Sequence, residues 1–485
     1  MSVFQSLDGS QSPPKHWVAR RHAYAVWELT LACDLSCSHC GSAAGKPRDD
    51  ELTTEQALET VRRLKAYGIT EVTLIGGEAT IRKDWEVISR EIVSQGMILT
   101  FQTGGYSITP QKAQQIKTVG ASAVGVSVDG LPGIHDALRG RPGSHARALE
   151  AIRHLRNAEI NHVTANSQIN RANYQDLPGL FNLLLEQGFK SWMLTPTIPM
   201  GSAVADEMLC FQPYDFEALH ELSAILAVVG YQNNVPVRGA NPLGYFGPYE
   251  RLIRYTGDVL GVYQGCPAGE GVIGLEADGT VKGCPSLPTD LFQTGNILDS
   301  GLDNLNRLAH DARIKQNPTN KNPYRKTLYD FCLSCPFAVV CRSGCGWAAS
   351  SIRGRKGDNP YCMFRSIVNN GKGRPEVMKR VDAGTMGPFA RAEYQLSSLD
   401  AAMSASVKPI DLDAIEWPEN FKTVAAIFRK NRQRVRDSSK KVYEKYTQFP
   451  VMNKDMAINY LEEMEVDCMP DVALDAMANL IYAAT

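Results

Sequence analysis

The sequence predicts an α/β protein, and three observations carry that prediction. Short apolar runs alternate with amphipathic segments from about residue 23 to 225. The cysteines fall into two groups instead of a scatter, and the last hundred or so residues keep helical apolar spacing. Alternating strand-like and helix-like segments argue for βαβ units around a parallel sheet. Six such units are too few to close an eight-stranded barrel. The expected architecture is therefore an open, partial (β/α)6 TIM-like barrel, then a small cysteine-rich domain and a helical C-terminal extension.

In chain order, residues 1–22 form an N-terminal arm that opens "MSVFQSLDGSQSPPKHW" and lacks the apolar core of a secretion signal. The barrel spans 23–225. Its candidate strands are "YAVWELTLA", "EVTLIGG", "MILTFQTGG", "ASAVGVSVDG", "NHVTANSQIN" and "FKSWMLTP". Helical stretches lie between them, such as "TTEQALETVRRLKAYG", with Thr54 as its expected N-cap, and "SHARALEAIRHLRNAEI". Residues 226–265 read as a Gly/Pro-punctuated connector, and 266–365 as the cysteine-rich domain. "GRPEVMKRVDAGTMGP" reads as a linker within the extension, 366–485. There Val424, Ile427, Phe428, Val435, Val442 and Tyr446 keep one helical face. Residues 429–445 carry eight Lys/Arg against two acids.

Bulk properties exclude several classes. A length of 485 residues allows about three domains. Lys plus Arg number 51 and Asp plus Glu 52, so no overall field steers the chain to nucleic acid or to a membrane surface. No run approaches the length of a membrane span. A cytoplasmic location is expected. In a reducing compartment, twelve cysteines, ten of them clustered, point to metal or redox chemistry, not to disulfides.

The first group, "CDLSCSHC", holds Cys33, Cys37 and Cys40 directly after the first strand, where barrel chemistry belongs. Structural zinc wants four ligands, and His39 beside Cys40 is the fourth group at hand. A [4Fe–4S] cube held by three thiolates leaves one iron open to a small molecule. Spacing alone leaves iron–sulfur, zinc and inert thiols all in play.

"CDLSCSHC" resembles the C-x3-C-x2-C signature of radical S-adenosylmethionine (radical SAM) enzymes, with His39 where an aromatic residue is usual. "GGEAT", with Gly76, Gly77 and Glu78, is similar to the segment that meets the methionyl ammonium in that family. Alone, it could be a strand-to-helix turn whose glycines tolerate positive φ. "SVDG" and "HDALRG" resemble the ribose- and carboxylate-binding segment and offer Ser127, Asp129 and Arg139; alone, "SVDG" is an ordinary turn signal. Asn166 and Gln168 on the fifth strand are further candidates for SAM contacts. "TGG" at 103–105 stands where relatives often show Thr-Asn-Gly.

The second group runs Cys266, Cys284, then "CLSCPFAVVCRSGC", then Cys362. It resembles the SPASM domain of many radical SAM enzymes, which carries two auxiliary [4Fe–4S] clusters. By position, the resemblance implies that Cys332, Cys335, Cys341 and Cys362 hold an outer cluster. Cys266, Cys284 and Cys345 would hold an inner one, with its fourth position open, filled by Cys210 or Cys468, or filled by a group other than cysteine. Cys210 and Cys468 are otherwise expected to be packed free thiols.

The resemblance implies three [4Fe–4S] clusters, S-adenosylmethionine, and an electron donor such as flavodoxin or ferredoxin. It implies reductive cleavage of S-adenosylmethionine to a 5′-deoxyadenosyl radical, hydrogen abstraction, and oxidative modification of a peptide or protein, for example cross-linking in a ribosomally made precursor. A small-molecule substrate (an alcohol, sugar or cofactor precursor) and a non-catalytic metalloprotein are the alternatives. No general base is obvious in the sequence. The basic run 429–445 suggests contact with an acidic leader peptide, or else a solvated helix face.

Overall fold

The computed structural model describes residues 24–254, 263–305, 327–384, 387–399, 408–449 and 452–482. The expected arm over 1–22 lies outside the described residues. The six expected strands form: β1 (Tyr24–Glu28), β2 (Glu71–Ile75), β3 (Ile98–Thr103), β4 (Ala123–Ser127), β5 (His162–Ile169) and β6 (Trp192–Pro196). Each pairs in parallel with the next, with helices such as Thr54–Tyr67 and Ser144–Asn157 between them.

Two short strands lengthen this parallel run. β7 (Val237–Gly239) pairs with β6, and β8 (Val272–Leu275) pairs with β1. β9 (Thr280–Lys282) and β10 (Gln293–Asn296) then continue the sheet antiparallel, giving ten strands among the described residues. The cysteine-rich region is thus stitched into the barrel sheet through β8. Strands of three or four residues show too little alternation to be read in advance.

Side chains alternate across the sheet. Ala25, Trp27, Val72, Leu74, Leu99, Phe101, Val124 and Val126 enter the hydrophobic core. The other face is polar. Thr73 Oγ1 bonds the Tyr24 hydroxyl at 3.1 Å and Thr100 Oγ1 at 2.6 Å, and the Asn166 amide donates to Gln102 Oε1. Such a face suits a binding cavity better than a packed centre.

Three local expectations need correction. Helix Thr54–Tyr67 is capped by Thr53, not Thr54: Thr53 Oγ1 accepts from Gln56 N, and Gln56 Oε1 accepts from Thr53 N. This is a capping box, and it leaves the Thr54 hydroxyl free to donate to Asp84 at 2.7 Å. Helix Phe216–Gln232 runs across residue 225; it is apolar nearly all round because helix Glu419–Tyr446 and helix Asp471–Tyr482 cover it. The expected linker contains β11 (Glu376–Asp382), which forms an antiparallel hairpin with β12 (Glu393–Ser398) and buries Met378 and Tyr394.

The basic run lies on helix Glu419–Tyr446, where much of its charge is paired within the chain. Arg432 pairs with Glu221, Arg436 with Glu217, Arg429 with Asp413 and Lys445 with Glu463. Arg434 donates to the carbonyls of Asp467 and Met469.

Phe337 joins the cysteine-rich region to the extension. It is fully buried, stacks on Phe246 at 4.0 Å and meets the rings of Tyr460 and Phe364 edge-on. Phe337→Ala should lower the unfolding free energy by about 3–5 kcal/mol, read as a reduced urea midpoint. An unchanged midpoint would mean that the extension is not held through this cluster.

Candidate functional site

The C-terminal ends of β1–β5 surround a cavity of about 260 Å³. Cys33, Cys37 and Cys40 all line it. The segment that carries them is pinned at both ends: Cys33 N donates to Gly45 O at 3.1 Å, and Gly45 N to Leu31 O at 3.0 Å. Glu51 Oε1 accepts from Leu31 N and Thr30 Oγ1, both at 2.9 Å.

Gly76 and Gly77 also line the cavity, and the structure gives the reason for them. Gly77 N donates to Thr30 O and Glu78 N to Ala32 O, each at 2.8 Å. A Cβ at 76 would stand 2.3 Å from Thr30 O, and one at 77 would stand 2.2 Å from Ala32 O. The glycines serve close backbone approach, not a positive φ, which neither adopts. A Cβ at Gly104 would lie 2.5 Å from Leu35 Cδ1, so Asn at this position needs Leu35 to move.

Ser127, Arg139 and Gln168 reach the cavity wall, whereas Glu78, Asp129 and Asn166 stand behind it. The Glu78 carboxylate is buried and accepts from Thr80 Oγ1 at 2.8 Å, Thr103 Oγ1 at 2.6 Å and Gly104 N at 3.2 Å. Burial raises its pKa. Asn166 is bonded to Gln102.

Asp129 is 0% exposed and meets two side chains, with His39 Nε2 at 2.9 Å and Arg139 Nη2 at 2.6 Å. Its Oδ1 accepts from Gln168 N at 2.9 Å. Burial pushes this carboxyl up, but Arg139 and His39 outweigh it and hold it well below the usual carboxylate range. Arg139 Nη1 lies 3.7 Å from Cys37 Sγ. Asp129 therefore braces both sides of the thiol segment. His39 gives Nε2 to this carboxylate, which fixes the orientation of its ring beside Cys40.

The second group of cysteines divides in two. Cys332, Cys335, Cys341 and Cys362 line one apolar pocket with Phe246, Phe331 and Phe364. Cys345 is pushed up by burial and then by the neighbouring Cys266 and Cys284. Cys210 packs near Tyr361 and Tyr394, and Cys468 lies 3.8 Å from Met464 Sδ. Among the described residues, no three His, Cys, Asp or Glu side chains gather as around a single metal ion.

Several cavity residues escaped the sequence reading. Gln102, Glu28 and Glu276 line it, and Trp347 and Phe389 reach it from the cysteine-rich region and the hairpin. Glu28 had a signal: it is a charge at an inward position of the apolar run "YAVWELTLA". Phe389 had none, since only the fold brings it there.

Removing Asp129 strands the buried Arg139 guanidinium and leaves His39 Nε2 without its partner. Asp129→Ala should cost about 3–5 kcal/mol, measured by chemical unfolding at pH 7. A loss below about 1 kcal/mol would contradict the bracing role.

The radical SAM superfamily model matches residues 27–184. Mycofactocin maturase MftC of Mycolicibacterium smegmatis is 29% identical over 76% of this chain and 88% of its own length. AdoMet-dependent heme synthase of Methanosarcina barkeri is 26% identical over 70% of this chain and 96% of its own. The structure of Streptococcus suis SuiB bound to precursor peptide SuiA shares the fold, with a TM-score of 0.54, 17% identity, and coverage of 70% of this chain and 76% of that one. No helix among the described residues is long and apolar enough to cross a membrane. The family binds S-adenosylmethionine and a [4Fe–4S] cluster, which agrees with three cavity-lining thiols beside a glycine-built turn. Residues 27–184 are thus a radical SAM domain, and the chain is an enzyme whose relatives include a mycofactocin maturase.

Proposed function

We propose that the chain is a cytoplasmic oxidoreductase that modifies a peptide or protein, and that flavodoxin or ferredoxin supplies its electrons. One observation carries most of this reading. The three thiols of the first group share a cavity with Gly76, Gly77, Ser127, Arg139 and Gln168, while the other seven divide into a four and a three. Cys33, Cys37 and Cys40 would hold the cluster that binds S-adenosylmethionine. Cys332, Cys335, Cys341 and Cys362 would hold an outer auxiliary cluster, and Cys266, Cys284 and Cys345 an inner one whose fourth position no cysteine fills.

When bound, these groups supply reductive cleavage of S-adenosylmethionine, hydrogen-atom abstraction and an electron sink. The chain's own residues do the rest. The Gly76–Gly77 backbone keeps the floor of the cavity open, and Arg139 presents a fixed positive charge to a carboxylate. Asp129 fixes Arg139 and His39, while Glu78 locks the turns after β2 and β3. Trp347, Met200 and Phe389 cover the far wall, where they shield a reactive centre from water.

Mycofactocin maturase MftC, the sporulation killing factor maturation protein SkfB of Bacillus subtilis (30% identical over 36% of this chain) and precursor-bound SuiB support a peptide substrate. The heme synthase likeness, which runs over nearly all of that relative, supports a second reading: a small carboxylated cofactor precursor.

Anaerobic incubation with S-adenosylmethionine, reductant and candidate precursor peptides, followed by mass spectrometry, tests the proposal. A peptide that loses hydrogens or gains a cross-link is the expected result. No change in any peptide, together with conversion of a porphyrin precursor, would favour the second reading. Replacing Cys33, Cys37 and Cys40 together by Ala should abolish 5′-deoxyadenosine formation; persistence at the wild-type rate would refute the assignment.

A further inference from the structure

One charged group in the cavity wall is used neither by the thiols nor by the positions assigned to S-adenosylmethionine. Glu28, at the C-terminal end of β1, is 3% exposed, and Glu276 follows β8, the neighbouring strand. Among the described residues lining the cavity, they are the only acids. Arg48 joins them: its Nη2 lies 2.9 Å from Glu28 Oε1 and 3.1 Å from Glu276 Oε2, and its Nε donates to Glu28 Oε1 at 2.9 Å.

The two acids differ in what remains free. Glu276 Oε2 faces Arg48, while Oε1 takes Lys282 Nζ at 2.6 Å and the Thr289 hydroxyl. Glu28 receives Arg48 and the Ala277 amide, at 3.4 Å, on Oε1 alone. Its Oε2 accepts no hydrogen bond among the described residues. Arg48 orients the carboxylate and leaves one oxygen for another partner.

We propose that Glu28 is the catalytic base of the oxidative reaction, its Oε2 taking the proton that the substrate releases. The proposal rests on the function proposed above, in which the substrate loses two hydrogens per turnover. One leaves as an atom from a C–H bond, to the deoxyadenosyl carbon derived from S-adenosylmethionine. The other leaves as a proton from the N–H, O–H or C–H group whose electron pair forms the new bond, and it goes to Glu28. The remaining electron goes to an auxiliary iron–sulfur cluster.

The surroundings suit this task. Burial raises the Glu28 carboxyl to about 7; Arg48 and Lys282 pull it down, and Glu276 pushes it up. A base is most effective when its pKa lies near the working pH. A purely structural clasp between β1 and β8 would also use Arg48 and both acids, so the test must separate the two roles. Gln at position 28 keeps the size of the side chain and an oxygen for Arg48, but it cannot accept the proton.

With a precursor peptide from the mass-spectrometric screen, the ratio of modified peptide to 5′-deoxyadenosine should fall about a hundredfold in Glu28→Gln. Glu28→Asp should recover part of it. In the wild type the ratio should rise with pH through about 7. An infrared titration of the full chain without substrate should show a carboxyl carbonyl band that disappears over the same range and is missing from Glu28→Gln. An unchanged ratio, or no such band, would overturn the proposal. A wild-type chain that cleaves S-adenosylmethionine but alters no peptide would overturn the peptide reading alone, since the infrared band does not depend on the substrate.

Discussion

Two glycines set how closely the segment after β1 can approach the turn after β2. With the Gly77 and Glu78 amides bonded to the carbonyls of Thr30 and Ala32, there is no room for a Cβ at 76 or 77. That contact fixes the start of the thiol segment against the sheet. The buried Asp129, bound to His39 and Arg139, fixes its far end. Every later feature of the cavity depends on the thiols being held between these two points.

The cavity is composite. Its floor and one side come from the barrel strands, but the far wall draws Leu275, Pro285 and Trp347 from the cysteine-rich region and Phe389 from the hairpin. β8 makes this possible because its pairing with β1 sets the second region in register with the first. Phe389 is held with φ +55, an unusual conformation for a bulky residue, by a fold that also sets Lys282 Nζ 3.6 Å from its ring. The extension is thus part of the site's construction, and Arg432 and Arg436 tie it to helix Phe216–Gln232 through Glu221 and Glu217.

What was legible in the sequence was local. Three thiols within eight residues, a Gly-Gly-Glu after a strand and a Ser-Val-Asp-Gly after another are each short enough to read directly. The six strands were legible because parallel strands buried on nearly every residue read as short apolar runs. The bonds that Asp129 and Glu78 make within the chain were not, because they depend on the fold: Asp129 becomes a brace only where His39 and Arg139 close on it. Glu28 was hidden differently, as a charge inside an apolar run whose meaning depends on which face of β1 it occupies. The hairpin Glu376–Ser398 was missed because its first strand carries only a few buried side chains among charged ones.

The central claim is that Cys33, Cys37 and Cys40 hold a cluster with one iron left open. A crystal structure of the anaerobically reconstituted chain with S-adenosylmethionine tests it most directly. The expected result is a [4Fe–4S] cube on these three thiolates, its remaining iron bound by the amino and carboxylate groups of S-adenosylmethionine, with His39 still paired to Asp129. A protein side chain on that iron, or a lone zinc ion among the three sulfurs, would contradict it.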